Sequence, residues 1–101
     1  MENFKRIGVY GNTMASSVLI AGRLEAKYNS KGYATKQKRI NAGNSYIVLE
    51  NLTTIETIEI EIINNIEENY FDIIYTDSII EDNIYEQLTR IGKKVTNIIE
   101  I

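Results

Sequence analysis

The chain is 101 residues long, 44% apolar and 25% charged with a formal net charge of −3, which is the composition of one ordinary globular domain with a single core. It contains no Cys, no His and no Pro, which excludes disulfides, thiolate or imidazole metal ligation, cysteine nucleophiles and the usual histidine general base. No apolar run approaches the roughly 20 residues of a membrane span, and no signal-peptide core of about 7–15 apolar residues precedes the first strand-like run, so the sequence reads as a cytoplasmic single domain over residues 1–101.

Residues 6–10 (RIGVY) form a short β-rich run, and Gly11, Asn12, Thr13, Met14, Ala15, Ser16 and Ser17 make a small, polar loop after it. Val18, Ala21, Leu24 and Tyr28 then recur at helical spacing, with Leu19 flanking the stripe, Ser16 or Ser17 as N-cap and Gly32 as the stop. Gly22 inside this pattern costs about 1 kcal/mol against Ala, too little to break the helix. Residues 33–40 (YATKQKRI) are extended but very polar, as suits an edge strand, and residues 41–44 form a turn. Residues 45–51 (SYIVLEN) read equally as a hairpin partner of that strand or as the start of a helix, since periodicity does not separate short apolar runs.

Residues 53–70 carry two competing patterns. Ile58-Glu59-Ile60-Glu61-Ile62 alternates like a strand, whereas Ile55, Ile58, Ile62, Ile63 and Ile66 recur at helical spacing with Thr53 and Glu56 as a capping box; the longer window predicts a helix. Residues 71–76 (FDIIYT) are a buried-strand run, and residues 78–90 place Ile80, Ile84, Tyr85 and Leu88 on one helical face. Gly92 ends that helix, and residues 94–99 (KVTNII) are the last strand. Three β-to-α-to-β steps with right-handed crossovers give an α/β fold: a small open, mainly parallel four-stranded sheet, order 2-1-3-4, with helices on both faces.

Charge is unevenly placed. Residues 1–40 carry a balance of +6 and residues 41–101 one of −9. The cluster Lys36, Lys38 and Arg39 lacks interleaved aromatics and reads as a solvated edge strand, so no direct nucleic-acid contact is expected. The basic and acidic parts, with the polar edge of residues 33–40, are surfaces that can pair across a symmetric interface, and a homodimer is expected.

In an open α/β sheet ligands collect at the carboxyl ends of the strands, where a helix N-terminus favours an anion. Gly11 to Ser17 occupy that place: Gly11 permits close backbone approach, and Asn12, Thr13, Ser16 and Ser17 add side-chain donors for a phosphate-sized anion. The loop is neither GxxxxGK[ST] nor GxGxxG, and its plain reading is a strand-to-helix turn with a Ser cap. Asp72, Asp77, Glu81 and Asp82 cluster near the third strand, but a receiver-like metal pocket needs acids after the first strand, where Gly11 and Asn12 stand, so no metal is expected. The tyrosines read as boundary residues, and with no second aromatic loop for a flavin, no cofactor is expected.

The opening IGVYGNTMASSVLIAGRL, with a strand, a loop of Gly and small polar residues and a helix, resembles the IIB component of the sugar phosphotransferase system, galactitol type. The resemblance runs through FDIIYT and KVTNII, although the family's last helix has no counterpart in these residues. It puts Tyr10 where the family has its phosphorylated Cys. A phenol with a pKa of about 10 is a poor substitute for a thiolate relay, so the resemblance implies no catalytic residue and no enzyme. It implies instead a non-catalytic regulatory and dimerisation domain, like the degenerate IIB-like domains at the C-terminus of transcription regulators that carry phosphotransferase-regulation domains, including Gram-positive virulence regulators of the Mga and AtxA kind. The alternative it leaves is a divergent IIB phosphocarrier acting through a hydroxyl.

Overall fold

The computed structural model describes residues 5–40, 45–64, 66 and 70–97. Its elements are β1 (Arg6–Tyr10), α1 (Met14–Asn29), β2 (Tyr33–Arg39), β3 (Tyr46–Asn51), β4 (Thr57–Ile62), β5 (Ile73–Thr76), α2 (Asp82–Thr89) and β6 (Val95–Asn97). The strands form one mixed sheet of six, in the order β2-β3-β4-β1-β5-β6. β1 lies parallel to β4 on one side and to β5 on the other, β6 is parallel to β5, and β3 is antiparallel to both β2 and β4. The expected four-stranded, mainly parallel sheet is therefore corrected. Its four strands keep their relative order, and two further strands are inserted between β2 and β1.

The inserted strands come from the two ambiguous stretches. Residues 45–51 pair on both sides, with β2 and with β4. The helix expected over residues 53–70 is replaced by a turn and β4, where Ile58, Ile60 and Ile62 are buried and Thr57 and Glu59 are exposed. Two physical reasons decide it. Ile is stiff at Cβ and packs well on a pleated surface, and the strand reading buries all three isoleucines beside Ile7 and Val9 in one cluster. The supposed capping box is dismantled: Asn51 Oδ1 accepts the N–H groups of Thr53 (2.8 Å) and Thr54 (3.0 Å), making a turn in which Ile55 has φ of +64° and is 73% exposed. The far end of that helix, the turn at 41–44 and residues 98–99 of the last strand fall partly or wholly outside the described residues.

Alternation along the strands separates two cores. On one face Ile7, Val9, Ile47, Leu49, Ile58, Ile60, Ile62, Ile73 and Tyr75 pack against Ile20, Ala21 and Leu24 of α1. On the other, Phe71, Ile74 and Ile63 pack with Leu88 of α2 and with Ile91. The closeness of this second layer is set by Gly92, where a Cβ would stand 2.7 Å from Ile74 Cδ1.

At the β2 edge, α1 is tied to the sheet by Glu25, which accepts from Lys38 Nζ (2.7 Å) and Thr35 Oγ1 (2.6 Å). Burial alone raises the Glu25 carboxyl, but these hydrogen bonds and the Lys38 charge outweigh it and the pKa falls. Tyr28 closes the end of the same layer edge-to-face on Tyr33, with ring centroids 5.6 Å apart. Burial, and then the neighbouring phenols of Tyr75 and Tyr33, push its hydroxyl up to about 12. Among the described residues no helix is long and apolar enough to cross a membrane.

Candidate functional site: the β1–α1 turn and Asp77

Only three residues, Gly11, Asn12 and Thr13, separate β1 from α1. The N-cap is Thr13 and not Ser16 or Ser17. Its side chain accepts the Ser16 N–H at 3.1 Å while Ser16 Oγ accepts the Thr13 N–H at 3.1 Å, a reciprocal box that starts the helix three residues earlier than a Ser cap would. Gly11 donates its N–H to Ser17 Oγ at 3.0 Å, and Ser17 Oγ donates in turn to the Thr13 carbonyl at 3.0 Å. A Cβ on Gly11 would fall on Ser16 Oγ and within 2.6 Å of Ser17 N, so the turn requires glycine for space.

The decisive partner comes from β5. Asp77 follows Thr76 at the carboxyl end of that strand, directly beside the end of β1, because Tyr10 is in register with Thr76. Asp77 Oδ2 accepts the Asn12 N–H at 2.7 Å and approaches Ser16 Oγ at 3.0 Å, while Asn12 Nδ2 donates to the Ile79 carbonyl at 2.8 Å. The Ser16 hydroxyl has one proton and two acceptors, Asp77 Oδ2 and the Thr13 carbonyl, both at 3.0 Å. A carboxylate is thus held at the positive end of α1, where the helix dipole and two converging donors favour it.

The predicted loop residues are all brought together at this turn, though with different parts to play. Gly11, Asn12, Thr13, Ser16 and Ser17 build its hydrogen-bond network, whereas Met14 and Ala15 are exposed on the first turn of α1. Tyr10 packs its ring against the cluster of Ile63, Phe71, Ile74 and Leu88. Sequence reasoning weighed Asp77 only as one of four acids around a metal. The structure separates that group, for Asp72 precedes β5 and Asp77 follows it, roughly 13–17 Å apart along the strand. Asp72 instead accepts the backbone N–H groups of Lys5 (2.9 Å) and Arg6 (3.0 Å), which, with Arg6 the larger influence, hold its carboxyl below the ordinary value. The signal for Asp77 was available: an acid directly after a buried strand expected to adjoin the first one.

Beyond the turn, the loop from Asp77 to Glu81 separates two clefts. One, of about 530 Å³, is bounded by Thr76, Asp77, Ile79, Ile80, Tyr85 and Val95. The other, of about 540 Å³, is lined by Tyr10, Asn12, Ile79, Ile80, Glu81 and Ile84. Among the residues lining them there is no Lys or Arg.

This fold is similar to that of solved structures of the large terminase from a thermophilic bacteriophage. One crystal form matches at a TM-score of 0.69 and 17% identity over 96% of this chain and 25% of that one. The terminase in complex with ADP matches at 0.67 and 15%, over 96% and 26%, and in complex with ATP-γ-S at 0.69 and 17%, over 96% and 25%. The chain spans about a quarter of the length of these structures, and at such identity the likeness is one of fold alone. No protein-family model matches the sequence, and no curated protein matches it.

These findings overturn the resemblance to the phosphotransferase IIB component. With it fall the reading as a regulatory dimerisation domain of a transcription or virulence regulator and the alternative of a divergent phosphocarrier. The resemblance had rested on a strand, a small-residue loop and a helix, a combination common to many α/β sheets; the antiparallel β3 between β2 and β4 belongs to a different frame.

Proposed function

We propose that this chain is a nucleotide-binding-fold domain whose phosphate-loop turn is closed by its own carboxylate, and that it acts as a non-catalytic module in an assembly of the kind its terminase-like fold belongs to. The reading draws on the likeness to structures solved with ADP and with ATP-γ-S, and on the position of the turn at the carboxyl ends of β1 and β5, where such sheets hold phosphates. One observation carries it. Asp77 Oδ2 occupies the donors of Asn12 and Ser16 that an incoming phosphate oxygen needs. Residues 11–17 contain no Lys or Arg to offset the repulsion between that carboxylate and a phosphate. A turn built this way keeps the shape of a phosphate site without the cation that drives phosphoryl transfer. Absence of Cys agrees with a reducing, cytoplasmic compartment.

Calorimetric titration with Mg-ATP and with ADP, run beside a phosphate-release assay, tests the reading. The native chain is expected to give neither saturable heat nor turnover, and Asp77→Ala, which frees the Asn12 and Ser16 donors and removes the charge, to gain nucleotide binding without turnover. Submicromolar Mg-ATP binding or measurable hydrolysis by the native chain overturns it.

A further inference from the structure

The segment between β5 and α2, residues 77–81, is tied down unevenly. At its start the buried Thr76 hydroxyl reaches the Asp77 carbonyl at 3.0 Å and the Thr96 carbonyl of β6 at 3.3 Å. At its end the Glu81 carbonyl accepts the Tyr85 N–H at 2.9 Å as the N-cap of α2, although the Glu81 side chain makes no cap hydrogen bond. Between these ends, among the described residues, no backbone group of Ser78, Ile79 or Ile80 bonds to another backbone group. The segment is fastened instead to the β1–α1 turn: Asn12 N–H to Asp77 Oδ2 at 2.7 Å, Ser16 Oγ to the same oxygen at 3.0 Å, and Asn12 Nδ2 to the Ile79 carbonyl at 2.8 Å. Its apolar hold is Ile80, partly buried against the cluster of Ile63, Phe71, Ile74 and Leu88, while Ile79 is 81% exposed.

The same segment is a wall. Ile79 and Ile80 line both clefts, the one of about 530 Å³ that includes Asp77 and the one of about 540 Å³ that includes Asn12. The Asn12–Asp77 hydrogen bond therefore spans the boundary between them. Withdrawing the wall joins the two into a single groove along the carboxyl ends of β1, β5 and β6, from Tyr10 to Asn97. Small-molecule sites occupy roughly 300–1,000 Å³, and the joined groove stands at the upper end of that range.

Fastening and ligand binding draw on the same atoms. The Asn12 N–H and the Ser16 hydroxyl that hold the segment are the donors a phosphate oxygen takes at this turn, so a shut segment and a bound phosphate exclude each other. A loop with fixed ends, whose middle is bonded only to the site it covers, opens locally at far less cost than the sheet beside it. We propose that residues 77–81 are an autoinhibitory strap, latched by Asn12, which divides the cleft when shut and leaves the β1–α1 turn as one piece to admit a phosphoryl ligand. The proposal rests on the closed-turn reading and adds a moving part to it. The closed turn requires only that the Asp77 carboxylate compete with the ligand, whereas a strap lets a residue away from the turn control access. Ile80 is that residue: it carries no charge and makes no hydrogen bond to the turn, yet it is the apolar contact that holds the strap down.

Amide hydrogen exchange on the full chain, read by NMR, is the test. The Asn12 N–H reports the latch, and the Gly11 N–H, which donates to Ser17 Oγ within the turn, is the internal control. Ile80→Ala leaves Asp77, Asn12 and Ser16 in place and is expected to lower protection of the Asn12 N–H about tenfold, with protection at Gly11 and in β1 unchanged. Asn12→Ala removes only the bond to the Ile79 carbonyl and is expected to lower protection of its own backbone N–H by a similar factor. Inorganic pyrophosphate should bind Ile80→Ala about tenfold more tightly than it binds the native chain. Unchanged Asn12 protection in both variants overturns the strap, as does protection lost equally at Gly11 and Asn12, since the segment then does not move apart from the turn. Pyrophosphate binding gained by Asp77→Ala but not by Ile80→Ala also overturns it and leaves the closed turn standing. If Asp77→Ala gains none, the closed-turn reading falls, and the exchange data decide separately whether the strap opens.

Discussion

Replacing Asp77 by Ala removes the acceptor of the Asn12 N–H at 2.7 Å and one of the two acceptors of Ser16 Oγ at 3.0 Å. Charge-assisted hydrogen bonds are worth about 1.5–3 kcal/mol each when sheltered. Asp77 is half-buried and Asn12 exposed, so water reclaims much of each. Ser16 also retains the Thr13 carbonyl as an alternative acceptor. The expected loss is about 2 kcal/mol for Asp77→Ala, a fall in Tm of roughly 8–16 °C for a domain of this size. Asp77→Asn keeps an acceptor oxygen while losing the charge at the helix N-terminus, and should cost about 1 kcal/mol. Urea unfolding of Asp77→Ala, Ser16→Ala and the double variant gives the coupling between the two side chains, expected at about 1 kcal/mol. An Asp77→Ala variant within about 0.5 kcal/mol of the native chain, or a double variant whose cost is the plain sum of the singles, would refute the idea that the carboxylate closes the turn.

Two further outcomes follow from neighbouring geometry. Gly11→Ala puts a methyl group on Ser16 Oγ and against the Ser17 backbone nitrogen, so the Gly11–Ser17 hydrogen bond breaks and the start of α1 shifts; denaturant unfolding should show a loss of about 2–4 kcal/mol. Asp72 has a folded pKa below its unfolded value, held there by the Arg6 and Lys5 backbone N–H groups. Its contribution is present above the unfolded value and is lost as pH falls through the folded one. Asp72→Asn should therefore be less stable than the native chain at neutral pH, and the gap should close on the acid side of 3.8; a gap that does not change with pH counts against this assignment.

How much of the molecule was legible depended on where the deciding partner lay in the chain. α1 was readable because its stripe and its stop at Gly32, with φ of +94°, are local, and only its cap was misplaced, since Thr13 and Ser16 satisfy each other three residues before a Ser cap. β5 announced itself as a continuous apolar run, as a strand buried on both faces does. β3 and β4 did not, because residues 45–51 are too short a run for periodicity to decide, and the five residues of alternating Ile and Glu at 58–62 fit a strand while a wider window that takes in Ile55 and Ile66 fits a helix. What settled the matter was the pairing of Ile60 with both Ile7 and Ile47, contacts from distant parts of the chain. The site divided in the same way. The loop was visible as glycine and small polar residues, whereas Asp77 acquires its role only because β5 lies next to β1, and that adjacency turns a potential anion site into a filled one.

The position of β1 at the centre of the sheet shapes how the chain must come together in time. Its two neighbours lie far downstream: Ile7 is in register with Ile60 and with Ile73, whereas the β2–β3–β4 meander joins only sequential segments. Loop-closure entropy therefore favours the meander as the first piece to organise, with β1 captured afterwards by β4 and locked by β5. During synthesis β1, with Ile7 and Val9 exposed, waits for more than half of these residues to emerge before either of its edges is covered. The solubility of the nascent chain then rests on the charged residues that flank this strand, Lys5 and Arg6 at its start and Arg23 and Lys27 on the helix that follows.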